Sequence, residues 1–180
     1  FVGDGCLMEG ISHEVCSLAG TLRLSRLVVL YDDNGISIDG EVRHWFRDDT
    51  VARFRAYGWH VLPDVDGHDV RAVDQAIATA TAWAREGRDG VFAPTLIQCR
   101  TIIGKGAPAR AGTAKAHGEP LGEDVIAEAR QGMDWPHEPF AVPDPVRAAW
   151  DARERGARAQ AAWGELFEAY RGAHPDEAAE

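Results

Sequence analysis

The chain has 180 residues and a formal net charge of −10, and it is 45% hydrophobic and 27% charged. That length supports one sizeable core, and the composition is that of an ordinary globular protein. The acidic balance argues against nucleic acid or an anionic membrane surface as partner, since both need clustered Lys and Arg, and no apolar run approaches the roughly 18 residues of a membrane span.

Phe1-Val2 reads as the last residues of a strand, with a loop starting at once, so residues are expected to precede it in the natural protein. Phe1-Val2-Gly3-Asp4 also lacks the basic and long apolar regions of a signal peptide. Beyond Gly3-Asp4-Gly5, residues Ile11, Val15, Leu18, Ala19 and Leu22 recur at helical spacing. Leu27 to Tyr31 is a short apolar run, as in a strand buried on both faces. A polar loop from Asp32 to Gly40 follows.

Asp48 and Asp49 open a helix with Val51, Phe54 and Tyr57 on its inner face, and Gly58 suits its stop. Trp59 to Leu62 reads as a strand. Gly67-His68-Asp69 leads into a helix with Val70, Val73, Ile77 and Ala80 on one side, and Thr95 to Cys99 reads as a third strand. Strands alternating with amphipathic helices predict an α/β fold, a parallel sheet with helices on both faces. Ligands then sit at the carboxyl ends of the strands, which points to the loops after Val2, Tyr31 and Cys99.

Thr101 to Pro120 is a long loop rich in Gly, Ala and Lys, of the kind that often carries function. Asp144-Pro145 suits a helix start, and one helix is predicted from there to about Arg171, striped by Val146, Trp150, Ala157, Ala161, Phe167 and Tyr170. Cys6, Cys16 and Cys99 are odd in number and not at metal spacing, and they read as reduced thiols of a cytoplasmic protein.

The chemistry centres on Gly3-Asp4-Gly5. The glycines allow a sharp turn and close approach, a following helix start suits phosphate, and Asp4 supplies a hard oxygen of the kind Mg²⁺ takes alongside phosphate and water. Alone, such a tripeptide is usually a turn. Asn34 stands 34 − 4 = 30 residues later, in Asp32-Asp33-Asn34-Gly35 after the next strand. Asn-Gly alone is also usually a turn. The pair, at the carboxyl ends of two successive strands, favours a metal–diphosphate site.

Gly-Asp-Gly, about thirty residues, then Asn after an apolar strand resembles the thiamine-diphosphate motif. GDGCLMEGISHEVCSLAG (3–20), LYDDNGISIDG (30–40), AYGWHV (56–61), DGHD (66–69) and TIIGKGAPARAGTAKAHGEPLG (101–122) are similar to transketolases. The resemblance covers essentially the whole chain. It implies a thiamine-diphosphate-binding fold in which 1–142 form part of the diphosphate- and Mg²⁺-binding domain and 143–180 a helical linker toward a pyrimidine-binding domain.

It further implies Mg²⁺ ligands Asp4, Asn34 and the carbonyl of Ile36, with Ca²⁺ or Mn²⁺ as substitutes. Gly5 and Asn34 would contact the diphosphate, Ile38 would pack near the thiazolium ring, and His117 would be a catalytic and cofactor-contacting histidine. Glu9, which would also contact the cofactor, and Glu14 would lie at a homodimer contact that links two active sites. Physics alone reads these two as first-turn carboxylates favoured by the helix dipole. His117 alone would read as a surface residue of a Gly-rich loop.

His13 and His60 read as structural; His44 and His68 stay undecided. Lys105, Arg110 and Lys115 read as a solvated basic loop, with steering of phosphorylated sugars as the alternative. Ala114 and Lys115 follow Thr113 where the family often carries a histidine, which leaves sugar contacts in this loop open.

The activity implied is cytoplasmic ketol transfer in the pentose phosphate pathway, a two-carbon unit passing from a ketose phosphate to an aldose phosphate. Several groups that the family uses lie outside these residues, so the isolated chain is expected to be inactive. Dihydroxyacetone synthase shares much of the pattern and is the nearest alternative. Deoxyxylulose-phosphate synthase and 2-oxoacid dehydrogenase subunits fit Met8-Glu9-Gly10-Ile11-Ser12 and Ile36-Ser37-Ile38-Asp39-Gly40 less well. A non-catalytic cofactor-binding module is the reading of another class.

Overall fold

In a computed structural model that describes all 180 residues, four strands form one parallel sheet. They are β1 (Val2–Gly3), β2 (Val28–Asp33), β5 (His60–Asp66) and β6 (Thr95–Arg100), in the order β1-β2-β6-β5. Between β1 and β2 run α1 (Asp4–Met8) and α2 (Gly10–Thr21). A hairpin of β3 (Ile36–Ser37) and β4 (Gly40–Glu41) follows β2, then α3 (Thr50–Ala56). Helix α4 (Val70–Glu86) connects β5 to β6. The polar stretch read as loop from Asp32 to Gly40 thus holds the last two residues of β2 and most of a short hairpin.

Because successive strand side chains point to opposite faces, the sheet makes two cores. Val29 and Tyr31 of β2, Val61 of β5 and Leu96 of β6 pack with Leu7, Ala19, Phe54 and Trp59. Val28, Leu30, Leu62, Val65, Ile97 and Cys99 pack with Ala76 and Ala80 of α4. Helices therefore cover both faces, as the alternating pattern predicted.

The first core is ordered by aromatic geometry. Phe54, 1% exposed, meets Trp59 edge to face with ring centroids 4.9 Å apart. The Trp59 indole N–H donates to the Cys16 carbonyl at 2.8 Å, so the ring is buried without an orphaned donor. Asp49 caps α3 by accepting from the Ala52 N–H at 2.8 Å, so the helix opens at Thr50 with Asp49 as its cap. A Cβ on Gly20 would fall 1.9 Å from the Tyr57 carbonyl oxygen, so only glycine lets α2 approach the end of α3.

Each of two apolar stripes buries only its alanine, Ala19 or Ala80, among the residues read from sequence. On α2 only Ser12 and Ala19 are buried, while Ile11, Val15, Leu18 and Leu22 are exposed. On α4 the buried residues are Ala76 and Ala80, with Val70 and Ile77 exposed. Small side chains bring α4 close to the sheet and leave the larger ones at its flanks.

Strand β5 runs past Leu62 to Asp66 by means of a bulge. Leu62 pairs with Ile97 and Val65 with Cys99, so Pro63 and Asp64 oppose the single residue Gln98. Pro63 has no N–H to give, and Asp64 takes a positive φ of 54°.

Residues 1–134 form one compact unit, which includes α5 (Lys115–Gly118) and α6 (Glu123–Gly132). Residues 135–180 form a second unit, containing α7 (Asp144–Trp150) and α8 (Arg153–Ala173). The single helix predicted to Arg171 is thus broken. Asp151 adopts an extended backbone (φ −70°, ψ 106°), and its carboxylate accepts from the Arg153 N–H at 3.0 Å. A side-chain acceptor two residues ahead competes with the helical ladder. No residue of α7 or α8 is buried.

Candidate functional site

Asp4 follows β1 directly, and Asn34 follows β2 directly. The strands are parallel neighbours, with Val2 opposite Tyr31 and Gly3 opposite Asp32. Both residues therefore leave the sheet on the same side, at strand carboxyl ends.

Asp4 is 4% exposed, and both of its oxygens are engaged. The Tyr31 hydroxyl donates to Oδ1 at 2.6 Å, and the Gly35 N–H donates to Oδ2 at 3.0 Å. The second bond fastens the Asn34-Gly35-Ile36 turn to the carboxylate at the end of β1. Gly35 has a φ of 69°, which glycine adopts without strain. Asn34 braces the same turn, its Oδ1 accepting from the Ile36 N–H at 3.0 Å and its Nδ2 donating to Asp32 Oδ2 at 3.3 Å. The Asx turn and the approach of the two loops coexist in one structure.

Burial raises the pKa of Asp4, opposed by the hydrogen bonds from Tyr31 and Gly35, while nearby Asp33 adds to the rise. A buried carboxylate beside another gains from a bound cation. Burial, together with hydrogen bonding to Asp4, raises the Tyr31 hydroxyl well above the ordinary tyrosine range, so it remains a donor.

The donors on this loop pair are hard oxygens: the Asp4 carboxylate, the Asn34 amide and the main-chain carbonyls around Ile36. That set fits Mg²⁺, which takes one or two carboxylates and completes its shell with phosphate and water. A Cβ on Gly5 would meet nothing within 4 Å, so the start of α1 is open to a ligand. A cavity of about 340 Å³ is lined by Asn34, Gly35, Ile36, Thr101 and Ile102. A larger one, about 610 Å³, is lined by Asp4 itself, with Tyr31, Asp33, Gln98 and Arg100 among others. Gly35 borders both.

The loop after β6 joins this side of the sheet. The Thr101 hydroxyl donates to Asp32, the Thr101 N–H donates to the Asp33 carbonyl at 3.3 Å, and the Ile102 N–H donates to His68 Nε2 at 2.8 Å. His68, undecided from sequence, thus holds the loop. His44 is exposed beside Glu41 at 3.8 Å. His117 lies on α5 and is exposed. That helix sits beside the hairpin, since a Cβ on Gly118 would stand 4.0 Å from Ile38 Cδ1. Ile38 is 67% exposed.

Glu9, between α1 and α2, and Glu14 on α2 are both exposed. Arg110 is paired with Glu119 at 2.9 Å, whereas Lys105 and Lys115 are exposed. His13 contacts Tyr57 at 3.0 Å and Arg53 at 3.1 Å, and His60 stacks on Trp83 with centroids 3.9 Å apart.

Sequence reasoning missed Tyr31, Asp33 and Gln98. Tyr31 was counted among the apolar residues of its strand, although it begins the polar run Tyr31-Asp32-Asp33. Tyr31 and Gln98 sit opposite one another in the β2–β6 ladder, a relation visible only once strand order is known.

The sequence model described as "Transketolase, thiamine diphosphate binding domain" matches residues 1–180. The chain is 60% identical over 180 residues to the chromosomal transketolase of Cupriavidus necator, covering all of this chain and 26% of that protein. It is 56% identical over the same span to transketolase 2 of Escherichia coli, again covering 26% of the relative. The chain thus spans about a quarter of the length of the curated relatives it matches.

The transketolase of Pichia stipitis solved in complex with sedoheptulose-7-phosphate superposes with a TM-score of 0.84 at 39% identity, covering 98% of this chain and 25% of that one. The transketolase of Leishmania mexicana gives a TM-score of 0.86 at 38% identity, covering 98% and 26%. With its parallel sheet and the start of α1 bonded to the loop after β2, the chain belongs to the transketolase family and matches that family's thiamine-diphosphate-binding domain.

Proposed function

We propose that the protein containing this chain transfers a two-carbon ketol unit from a ketose phosphate to an aldose phosphate, using thiamine diphosphate and Mg²⁺. The observation that carries this is the 3.0 Å bond from Gly35 to Asp4, which brings a buried carboxylate to the Asn34 turn. Family membership supports the cofactor. The complexes of Pichia stipitis transketolase with sedoheptulose-7-phosphate and fructose-6-phosphate support phosphorylated sugars as the substrate class.

In this reading Asp4, Asn34 and the Ile36 carbonyl hold Mg²⁺, while Gly5 and Asn34 hold the diphosphate. Thiamine diphosphate, when bound, supplies the carbon nucleophile and the electron sink of the reaction. Ile38 excludes water beside the cofactor's ring. His117 reaches the diphosphate or the reacting substrate as a hydrogen-bond donor or proton carrier. Glu9 and Glu14 face a second copy of the chain in a cytoplasmic homodimer. Residues 143–180 lead toward a further domain.

The test is a ketose-phosphate to aldose-phosphate exchange assay on the intact protein, with thiamine diphosphate and Mg²⁺ supplied or omitted. Exchange that needs both supports the reading. No exchange with both present, in a folded protein, overturns it.

A further inference from the structure

We infer that Tyr31 is a positioning residue that sets the orientation of the Asp4 carboxylate for metal binding. The inference rests on the proposed role of Asp4 as a Mg²⁺ ligand and extends it to a residue that is not among the proposed ligands.

A ligating carboxylate that can rotate about its last side-chain bond binds a small, geometrically demanding cation poorly. Asp4 is gripped from two sides: Gly35 holds Oδ2 at 3.0 Å and Tyr31 holds Oδ1 at 2.6 Å. Each oxygen keeps a further lone pair for a cation. Tyr31 is itself 3% exposed and central in the sheet between Val2 of β1 and Gln98 of β6.

A tyrosine hydroxyl has one proton, and here two carboxylates compete for it. Asp33 Oδ1 lies 3.3 Å from the hydroxyl, Asp4 Oδ1 only 2.6 Å. Asp33 is drawn aside through its other oxygen. Gln98 Nε2 donates to Asp33 Oδ2 at 2.6 Å, and Arg100 pairs with the same oxygen at 2.7 Å. Gln98 is fixed in turn, because its Oε1 accepts from the Asp64 N–H at 3.2 Å, inside the β5 bulge. The bulge, Gln98 and Arg100 therefore commit Asp33 elsewhere and leave the Tyr31 proton to Asp4. Partners of ligating groups typically contribute 10- to 100-fold in metal affinity.

The experiment compares the full-length protein with its Tyr31→Phe variant. Mg²⁺ affinity is measured calorimetrically at saturating thiamine diphosphate, and the melting temperature without metal is measured in parallel. The expected result is Mg²⁺ binding weakened about tenfold or more. Turnover should recover at high Mg²⁺ with sugar KM values unchanged, which a general loss of packing would not produce. A folded Tyr31→Phe protein with Mg²⁺ affinity within about twofold of the parent overturns the inference.

If Tyr31→Phe does not fold, the double variant Gln98→Met/Arg100→Met carries the test, since Tyr31 stays while Asp33 loses both groups that draw it aside and is released to compete for the proton. Weakened Mg²⁺ binding there supports the inference, and unchanged binding overturns it. Asp4→Asn is the control for the underlying reading. If Asp4→Asn binds Mg²⁺ as the parent does, the metal role of Asp4 fails, and the Tyr31 inference fails with it. If Asp4→Asn loses Mg²⁺ while Tyr31→Phe does not, only the Tyr31 inference fails.

Discussion

The backbone N–H of Gly35 donates to the buried carboxylate of Asp4 at 3.0 Å, across 31 residues of sequence. One hydrogen bond thus joins the first residue of α1 to the loop after β2, whose residues are proposed to share a metal ion and a diphosphate.

Asp4→Asn removes the charge from that junction and keeps its shape. In the full-length protein it should weaken Mg²⁺-dependent binding of thiamine diphosphate by about 100-fold or more, since the carboxylate is the only charged ligand in the proposed set. Calorimetric titration with the cofactor, with and without Mg²⁺, measures this. Unaltered Mg²⁺-dependent affinity contradicts the assignment.

Gly20→Ala should destabilise the protein by about 1–3 kcal/mol, because overpacked contacts relax only at the expense of backbone shifts. The added carbon would sit 1.9 Å from a main-chain oxygen, so no side chain can swing away to accommodate it. Urea unfolding reads the effect as a lowered midpoint with an unchanged slope.

Arg53 ties α3 to the end of α1. Its Nη1 and Nη2 both donate to the Leu7 carbonyl at 3.3 Å, and Nη1 pairs with Asp48 at 3.1 Å. The guanidinium also lies 5.5 Å from the Phe46 ring centroid. Arg53→Met keeps the stem and removes the donors, and should cost about 2 kcal/mol, the scale of a lost charged hydrogen bond. A change of less than about 0.5 kcal/mol in urea unfolding would show that the clamp is idle.

His60 has its pKa lowered from 6.5 by burial against Trp83. Below pH 6.5 the unfolded chain therefore binds a proton that the folded one resists, so unfolding becomes easier as pH falls. The contribution is fully present above 6.5 and is lost below it. His60→Phe retains a ring over Trp83 and should lose part of the fall in melting temperature between pH 7 and 5. A parallel fall in both proteins would assign the acid sensitivity to other groups.

The isolated 180-residue chain is expected to show no ketol transfer even with cofactor and Mg²⁺ present. It spans about a quarter of its relatives' length, and the remainder carries groups that the resemblance assigns to catalysis. Turnover comparable to a full-length relative in the same assay would refute this.

Several features were legible because their signals are local. The continuous apolar run of β2, the acidic helix start at Asp48-Asp49 and the turn at Asn34-Gly35 each need only a few neighbours to be recognised. Helix faces were read less well. Of the stripe Ile11, Val15, Leu18, Ala19 and Leu22, only Ala19 is buried, and Ser12 is buried beside it. Periodicity reports that a face is apolar, not what covers it. Helix α7 ended at Trp150 for a reason the stripe could not carry, the Asp151 carboxylate capturing the Arg153 N–H.

The sequence alone determined the alternation of strand and helix, the glycine-flanked Asp4 and the spacing to Asn34, because short-range steric and periodic rules govern each. The tertiary structure decided that β1 and β2 are neighbours, that the Gly35 N–H donates to Asp4, and that Tyr31 orients that carboxylate with Asp33, Gln98 and Arg100 behind it. Those bonds join residues 27, 31 and 65 positions apart. Only strand order and register bring such groups to hydrogen-bonding distance, and no local pattern encodes them.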